Sequence, residues 1–318
     1  MMNLINIIFI LMSTLLSIAF FTLMERKMIS YSQTRKGPNK VYSMGILQPI
    51  SDAIKLMGKE INMNLKCNFS IYMISPISNI LCSMMMWMTL PFFYTFMFMK
   101  MSLMFLVSCM TFNTILIMMM SWSSNSNYSM IGMMRTIAQT ISYEVNFMMI
   151  ILTIINMTEQ MNLNFMKKMQ KYIPMMIMMN ILFLMWLIII LAETNRTPFD
   201  FSEGESELIS GFNIEFSSKS FMMIFLAEYS SILMMSMMTV MMFMSDLKTM
   251  KFNLMYLLMC NFFIWTRTTL PRFRYDKLMK LNWKQILPSV TIIFMISFLM
   301  KTYYTKKIIN KISEENFY

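Results

Sequence analysis

Long, nearly uncharged apolar runs alternate with polar segments along most of the chain, and that rhythm predicts membrane-spanning helices. A hydrocarbon core about 30 Å thick takes about 20 apolar residues per helical span. Runs of this kind lie at about 3–24, 70–93, 101–121, 136–156, 172–192, 219–244, 253–267 and 285–303. The pattern predicts an all-α polytopic membrane protein: one integral membrane domain over 1–318, with about eight transmembrane helices. The first run lacks a basic leader and a small-residue cleavage site, so it is read as a retained span. Polar breaks at about 25–68, 193–218 and 267–284 predict structured inner loops. Within the first, GILQPISDAIKLMGKE sets Ile46, Ile50, Ile54 and Met57 at helical spacing, with Asp52, Lys55 and Lys59 elsewhere. That is the pattern of an amphipathic helix lying in the membrane interface. No internal repeat is evident.

Charge adds an orientation. Eight spans put both termini on one side. The other side, here the inside, holds 17 of the 27 Lys and Arg: eight in 25–68, six in 267–284, and Arg135, Arg196 and Lys219. The positive-inside rule places those loops inward. The net charge of +11 is therefore a topology signal and predicts no nucleic-acid partner.

Composition removes whole classes of chemistry. The 318 residues are 57% hydrophobic and 14% charged, against about a quarter charged in soluble domains. There is no histidine, which excludes histidine-ligated haem, most zinc sites and histidine-based triads. Cys67, Cys82, Cys109 and Cys260 are scattered, without the spacing of an iron–sulfur or zinc site. No GxGxxG or Walker A string occurs. The chain is expected to bind no metal, nucleotide or redox cofactor itself. Methionine stands at 50 positions, in every span, where Ile or Leu packs as well. An AT-rich mitochondrial code that reads an extra codon as Met explains this better than packing does, so the inside is read as the matrix.

The remaining chemistry lies in carboxylates and arginines. Glu144 and Glu228 fall inside predicted spans, each about nine residues from the inner end and so about 13 Å deep. A charge at such depth costs at least about 3 kcal/mol, so these groups must be neutral, paired or facing water. Glu193 closes another span. It opens the segment ETNRTPFDFSEGESELISGFNIE, whose further acids are Asp200, Glu203, Glu205, Glu207 and Glu215. There Pro198 ends the preceding pattern, and Ser202 with Glu205 has the spacing of a capping box. In a helix that follows, Asp200, Glu203 and Glu207 share a face. Crowded carboxylates resist full ionisation and titrate as a coupled set, which suits the loading and release of protons. The bland reading, a solvated acidic loop, fits poorly with the interleaved Phe199, Phe201, Leu208, Ile209 and Phe212. Two further inner segments are basic and aromatic. ERKMISYSQTRKGPNK carries Glu25, Arg26, Arg35 and Lys36, and WTRTTLPRFRYDKL carries Arg267, Arg272, Arg274 and Asp276. With Arg196 they predict ion-pair networks or docking to another protein. Three function classes remain open on these residues: a stand-alone proton-coupled secondary transporter, a passive anchor, and a membrane subunit coupled to a peripheral domain. The lack of paired repeats and of Gly/Pro-broken spans disfavours the first, and the buried acids disfavour the second.

ERK (25–27), QTRKGPNK (33–40), GILQPISDAIKLMGKE (45–60), YEV (143–145), ETNRTPFDFSEGESELISGFNIEF (193–216), AEY (227–229) and PRFRYD (271–276) resemble the membrane subunit 1 family of NADH:ubiquinone oxidoreductase, respiratory complex I. The resemblance covers nearly the whole chain, excepting the segment at 157–171, the third span and the tail after Lys301. It implies a mitochondrial inner-membrane subunit whose substrate is ubiquinone. NADH, FMN and the iron–sulfur clusters belong to partner subunits. Implied partners are peripheral quinone-module subunits on the matrix side, small membrane subunits, antiporter-like subunits and membrane lipid. By the same resemblance Arg26, Asp52, Phe225 and Arg274 line or brace a quinone tunnel. Glu144, Glu193, Asp200, Glu203, Glu205, Glu207 and Glu228 form the acidic path from it to the proton-pumping arm. Both termini are expected on the intermembrane-space side. A related membrane-bound hydrogenase subunit is disfavoured by the methionine bias.

Overall fold

This computed structural model describes residues 2–61, 66–90, 100–163, 166, 170, 174–201, 211–213, 215–244 and 250–315. Among the described residues the chain is helices and connecting turns, with no strand. In chain order the helices are α1 (Met2–Ser32), α2 (Gln48–Met57), α3 (Phe69–Met86), α4 (Ser102–Ser124), α5 (Asn127–Thr158), α6 (Asn180–Glu193), α7 (Ser218–Thr239), α8 (Met250–Thr269), α9 (Tyr275–Leu281) and α10 (Leu287–Glu315). A π-helical turn, Val240–Met244, extends α7, and another, Asn282–Ile286, fuses α9 to α10.

Among the described residues six helical stretches are long and apolar enough to cross a membrane: Ile5–Ser32, Phe69–Thr89, Ser102–Ser124, Asn127–Thr158, Ser218–Met244 and Tyr275–Tyr303. Two of the eight predicted spans are different. The helix α6 has 14 residues, about 21 Å at 1.5 Å per residue. It follows a break at Met179, where φ is −129° and ψ 59°. The 20-residue α8 is long enough, but Lys251, Asn253, Asn261 and Arg267 leave it less apolar.

Helix ends also depart from the apolar runs. The first helix runs eight residues past Met24, so Glu25 and Arg26 are helical. Residues 275–284, read as loop from their polarity, are helical too. Polarity marks where a helix leaves hydrocarbon, whereas the backbone stays helical until a cap or breaker stops it. The helix α5 begins at Asn127, nine residues before the predicted 136. Glu144 is thus about 25 Å along α5, and Glu228 about 15 Å along α7, so distance from the helix start does not put them at a common depth.

The bundle is built around α5 and α7. Half of the apolar window of α5 and 61% of that of α7 is buried, against 17% in α1 and in the last span. The helix α5 packs on α4, α6 and α10, while α7 packs on α3, α1, α8 and α2. Aromatic contacts fill the centre: Phe147 stacks on Trp186 at 4.9 Å, and Phe183 meets Phe243 edge-on at 5.4 Å. Ile50, Ile54 and Met57 of α2 are exposed, so its apolar stripe faces outward from the bundle. The preceding turn depends on Gly45, whose φ is +71°; a Cβ there would lie 2.3 Å from the Pro38 carbonyl oxygen.

Candidate functional site

A polar cavity of about 340 Å³ opens at the end of α6 and is walled by α1, α3, α4, α5, α7 and α8. Its position follows from how α6 stops. Asn195 takes a left-handed φ of 49°, and the N–H groups of Thr194, Asn195 and Arg196 donate to the Ile190, Ala192 and Leu191 carbonyls. Asn tolerates that conformation better than most residues, and Pro198 cannot donate to continue the ladder. The chain turns back on itself and sends Arg196 into the bundle.

Arg196 meets Glu25 there. Its Nη1 lies 3.1 Å from Glu25 Oε1, and Arg267 donates to the same oxygen. The Tyr229 hydroxyl donates to Oε2 at 2.6 Å, and the Arg196 guanidinium stands 4.6 Å above the Tyr229 ring. Glu25 is only 4% exposed, so this carboxylate joins α1, α7, α8 and the turn after α6 away from water. Burial disfavours the charge on Arg196, but Glu25 and Tyr229 outweigh it and hold its pKa above the ordinary arginine value.

Beyond this cluster the cavity wall carries Glu193, Glu228, Arg26, Phe225, Asn79, Asn113 and Thr140. Phe225 packs between Phe221 at 4.7 Å and Tyr229 at 5.9 Å. Glu228 interacts electrostatically with Arg196, and Glu193 with Glu144. One carboxylate oxygen each of Glu144 and Glu193 is buried without a hydrogen-bond partner among the described residues, as are Asn79 Oδ1 and Asn113 Oδ1. Such groups are costly unless water or a proton satisfies them.

The chain matches the model of the NADH dehydrogenase family over residues 5–298. It is 47% identical to NADH-ubiquinone oxidoreductase chain 1 of Aedes aegypti over 290 residues, 91% of this chain and 92% of that one. It is 46% identical to the Anopheles gambiae protein of that name, covering 90% and 92%, and 41% identical to that of Hylobates lar, covering 90% and 93%. The chain belongs to the NADH-ubiquinone oxidoreductase chain 1 family.

In this family member the residues singled out from sequence fall into three groups. Glu25, Arg26, Glu193, Arg196, Asp200, Phe225 and Glu228 line the cavity, with Glu144 adjoining Glu193. Asp52 lies on α2, ion-paired with Arg26 and accepting from Gln48 Nε2 at 3.0 Å, outside the cavity wall. The third group lies apart from the wall. Arg274 pairs with Asp276 at 3.2 Å in solvent, with side chains 78% and 63% exposed, and Arg35 and Lys36 are exposed. Arg272 stands 3.5 Å from Asp200, fastening the second basic segment to the turn after α6; the Phe273 N–H also donates to the Pro198 carbonyl at 3.0 Å. Glu203, Glu205 and Glu207, with the capping box at Ser202, lie outside the described residues.

Several polar residues of the wall carry no role from sequence, among them Tyr229, Asn79, Asn113 and Thr140. Tyr229 adjoins Glu228 in AEY, which was a usable signal. The other three are uncharged polar positions among further Ser, Thr, Asn and Gln of the apolar runs, and only side-by-side helices show that they share a chamber.

Proposed function

We propose that this chain is the mitochondrial inner-membrane subunit of proton-pumping NADH:ubiquinone oxidoreductase that forms the ubiquinone access tunnel, and that its carboxylates at the chamber couple quinone reduction to proton translocation. The observation that carries this is one chamber lined by Glu25, Glu193 and Glu228, with Glu144 beside Glu193. Arg26 and Phe225, at the same chamber, give a quinone one cationic and one aromatic contact. Electrons reach the quinone from NADH through FMN and iron–sulfur clusters in peripheral quinone-module partners on the matrix side. Reduction changes charge and proton demand at the chamber. Glu193 interacts electrostatically with Glu144, so a charge change at the chamber is handed into the bundle. From there it passes to small membrane subunits and antiporter-like subunits. Both termini lie on the intermembrane-space side. The names of the relatives, chains of an NADH-ubiquinone oxidoreductase, favour this reading over a stand-alone transporter.

Replacing Glu144 with Gln tests it. The expected result is an assembled complex that oxidises NADH with a soluble acceptor at the parental rate but loses proton-coupled quinone turnover at least about tenfold, as for loss of a proton-transfer group. Normal coupled turnover in Glu144→Gln would sink the proposal.

A further inference from the structure

Gln139 is fully buried on α5, and its Nε2 donates to two carbonyls far along the chain: Ala192 at 2.9 Å and Phe199 at 2.8 Å. These carbonyls bracket the turn that carries Glu193 and Arg196. One amide group thus closes the segment 192–199 into a loop and ties both ends to α5. The Gln139 Oε1 has no partner among the described residues, so the side chain is committed through its donor. One turn further along α5, on the same stripe, Tyr143 packs on Phe199 with ring centroids 6.3 Å apart. On the adjacent stripe stand Thr140, in the chamber wall, and Glu144, one turn beyond it. The helix that holds Glu144 is therefore the helix that grips the turn holding Glu193.

We infer that Gln139 is a positioning residue: by pinning Ala192 and Phe199 to α5 it sets the spacing between Glu193 and Glu144. Its proposed effect on turnover rests on the coupling role proposed above for those two acids, whereas its effect on geometry does not. Among the described residues the buried oxygen of each carboxylate has no hydrogen bond to fix its place, which leaves the backbone to set it.

The experiment is Gln139→Met in the intact complex, which keeps the volume and removes both donated bonds. Three readouts are taken: the infrared carboxyl band assigned by difference against Glu144→Gln, amide hydrogen exchange over 192–199, and coupled quinone turnover beside NADH oxidation with a soluble acceptor. The expected result is a displaced carboxyl band, faster exchange over 192–199, and coupled turnover lowered about threefold to tenfold, the range for losing one or two buried hydrogen bonds, with soluble-acceptor activity unchanged. An unchanged band with parental turnover overturns the inference, as does faster exchange with both of these unchanged, because Gln139 would then be a structural staple only. A displaced band with unchanged turnover, together with normal turnover in Glu144→Gln, upholds the positioning role and removes the coupling role from the two acids. If Gln139→Met fails to assemble, Gln139→Asn decides: it keeps the amide on a shorter stem that cannot reach both carbonyls. A parental band in an assembled Gln139→Asn complex overturns the inference.

Discussion

Glu25 joins more of the molecule than any other side chain in the chamber. Its three partners lie 171, 204 and 242 residues away along the chain. Removing its charge takes from Arg196, whose side chain is 16% exposed, its ion-paired carboxylate. Breaking one partner of a buried pair costs about 3–5 kcal/mol, because the other charge is left uncompensated. Glu25→Gln should therefore lower the heat stability of the complex strongly. Tyr229→Phe, losing one hydrogen bond to a charged group, should cost only about 1.5–3 kcal/mol. Heating the complexes before native electrophoresis reads both, and equal retention of intact complex in the two variants would contradict the ranking. From sequence, Glu25 and Arg196 stood out as members of an ion-pair or docking set. Their pairing with each other did not, since nothing local ties positions so far apart. The sequence puts Arg272 and Asp200 in different roles for the same reason, yet they stand 3.5 Å apart.

At the level of elements, the ion pair between Arg26 and Asp52 links α1 to the amphipathic α2. The two side chains are 53% and 33% exposed. An exposed pair of this kind contributes about 0.2–1 kcal/mol, so its loss barely alters stability. Its effect is on where α2 sits beside the chamber. Arg26→Glu sets two acids against each other and pushes α2 outward. Quinone reduction should fall severalfold while electron transfer from NADH to a soluble acceptor is spared. Equal loss of both activities would point to misassembly and remove Arg26 from the quinone path. The apolar runs predict that these helices exist, and six of the eight predicted spans are long and apolar enough to cross a membrane among the described residues, but the runs miss the helix ends. The last residues of α1 and the whole of α9 are helical despite their charged positions, because nothing in their sequence breaks the backbone before Thr34 and after Arg274.

For the whole molecule the open quantity is orientation. The proposed orientation, with the chamber mouth on the matrix side and both termini opposite, rests on the excess of Lys and Arg in 25–68 and 267–284. In mitoplasts, a protease added from outside should remove an epitope placed at the C-terminus and leave the segment Glu193–Glu215 intact; inside-out vesicles should give the reverse. Cleavage of both from one side would overturn the topology, and with it the docking of peripheral partners at the chamber.

The sequence by itself determined the class of this protein and its family. Long apolar runs have few solutions in a bilayer, because every backbone polar group must be satisfied within the segment. The motifs at 33–40, 45–60 and 193–216 are long, contiguous strings that carry their own signature. Only the tertiary structure decided which charges meet. It put Glu25 with Arg196, Arg267 and Tyr229, left Arg274 with Asp276 in solvent, and let Gln139 grip the turn that holds Glu193. The reason is physical. A helix fixes neighbours three and four residues apart, whereas a buried ion cluster is fixed by the packing of α1, α5, α6, α7 and α8 against one another, and no local pattern records that packing.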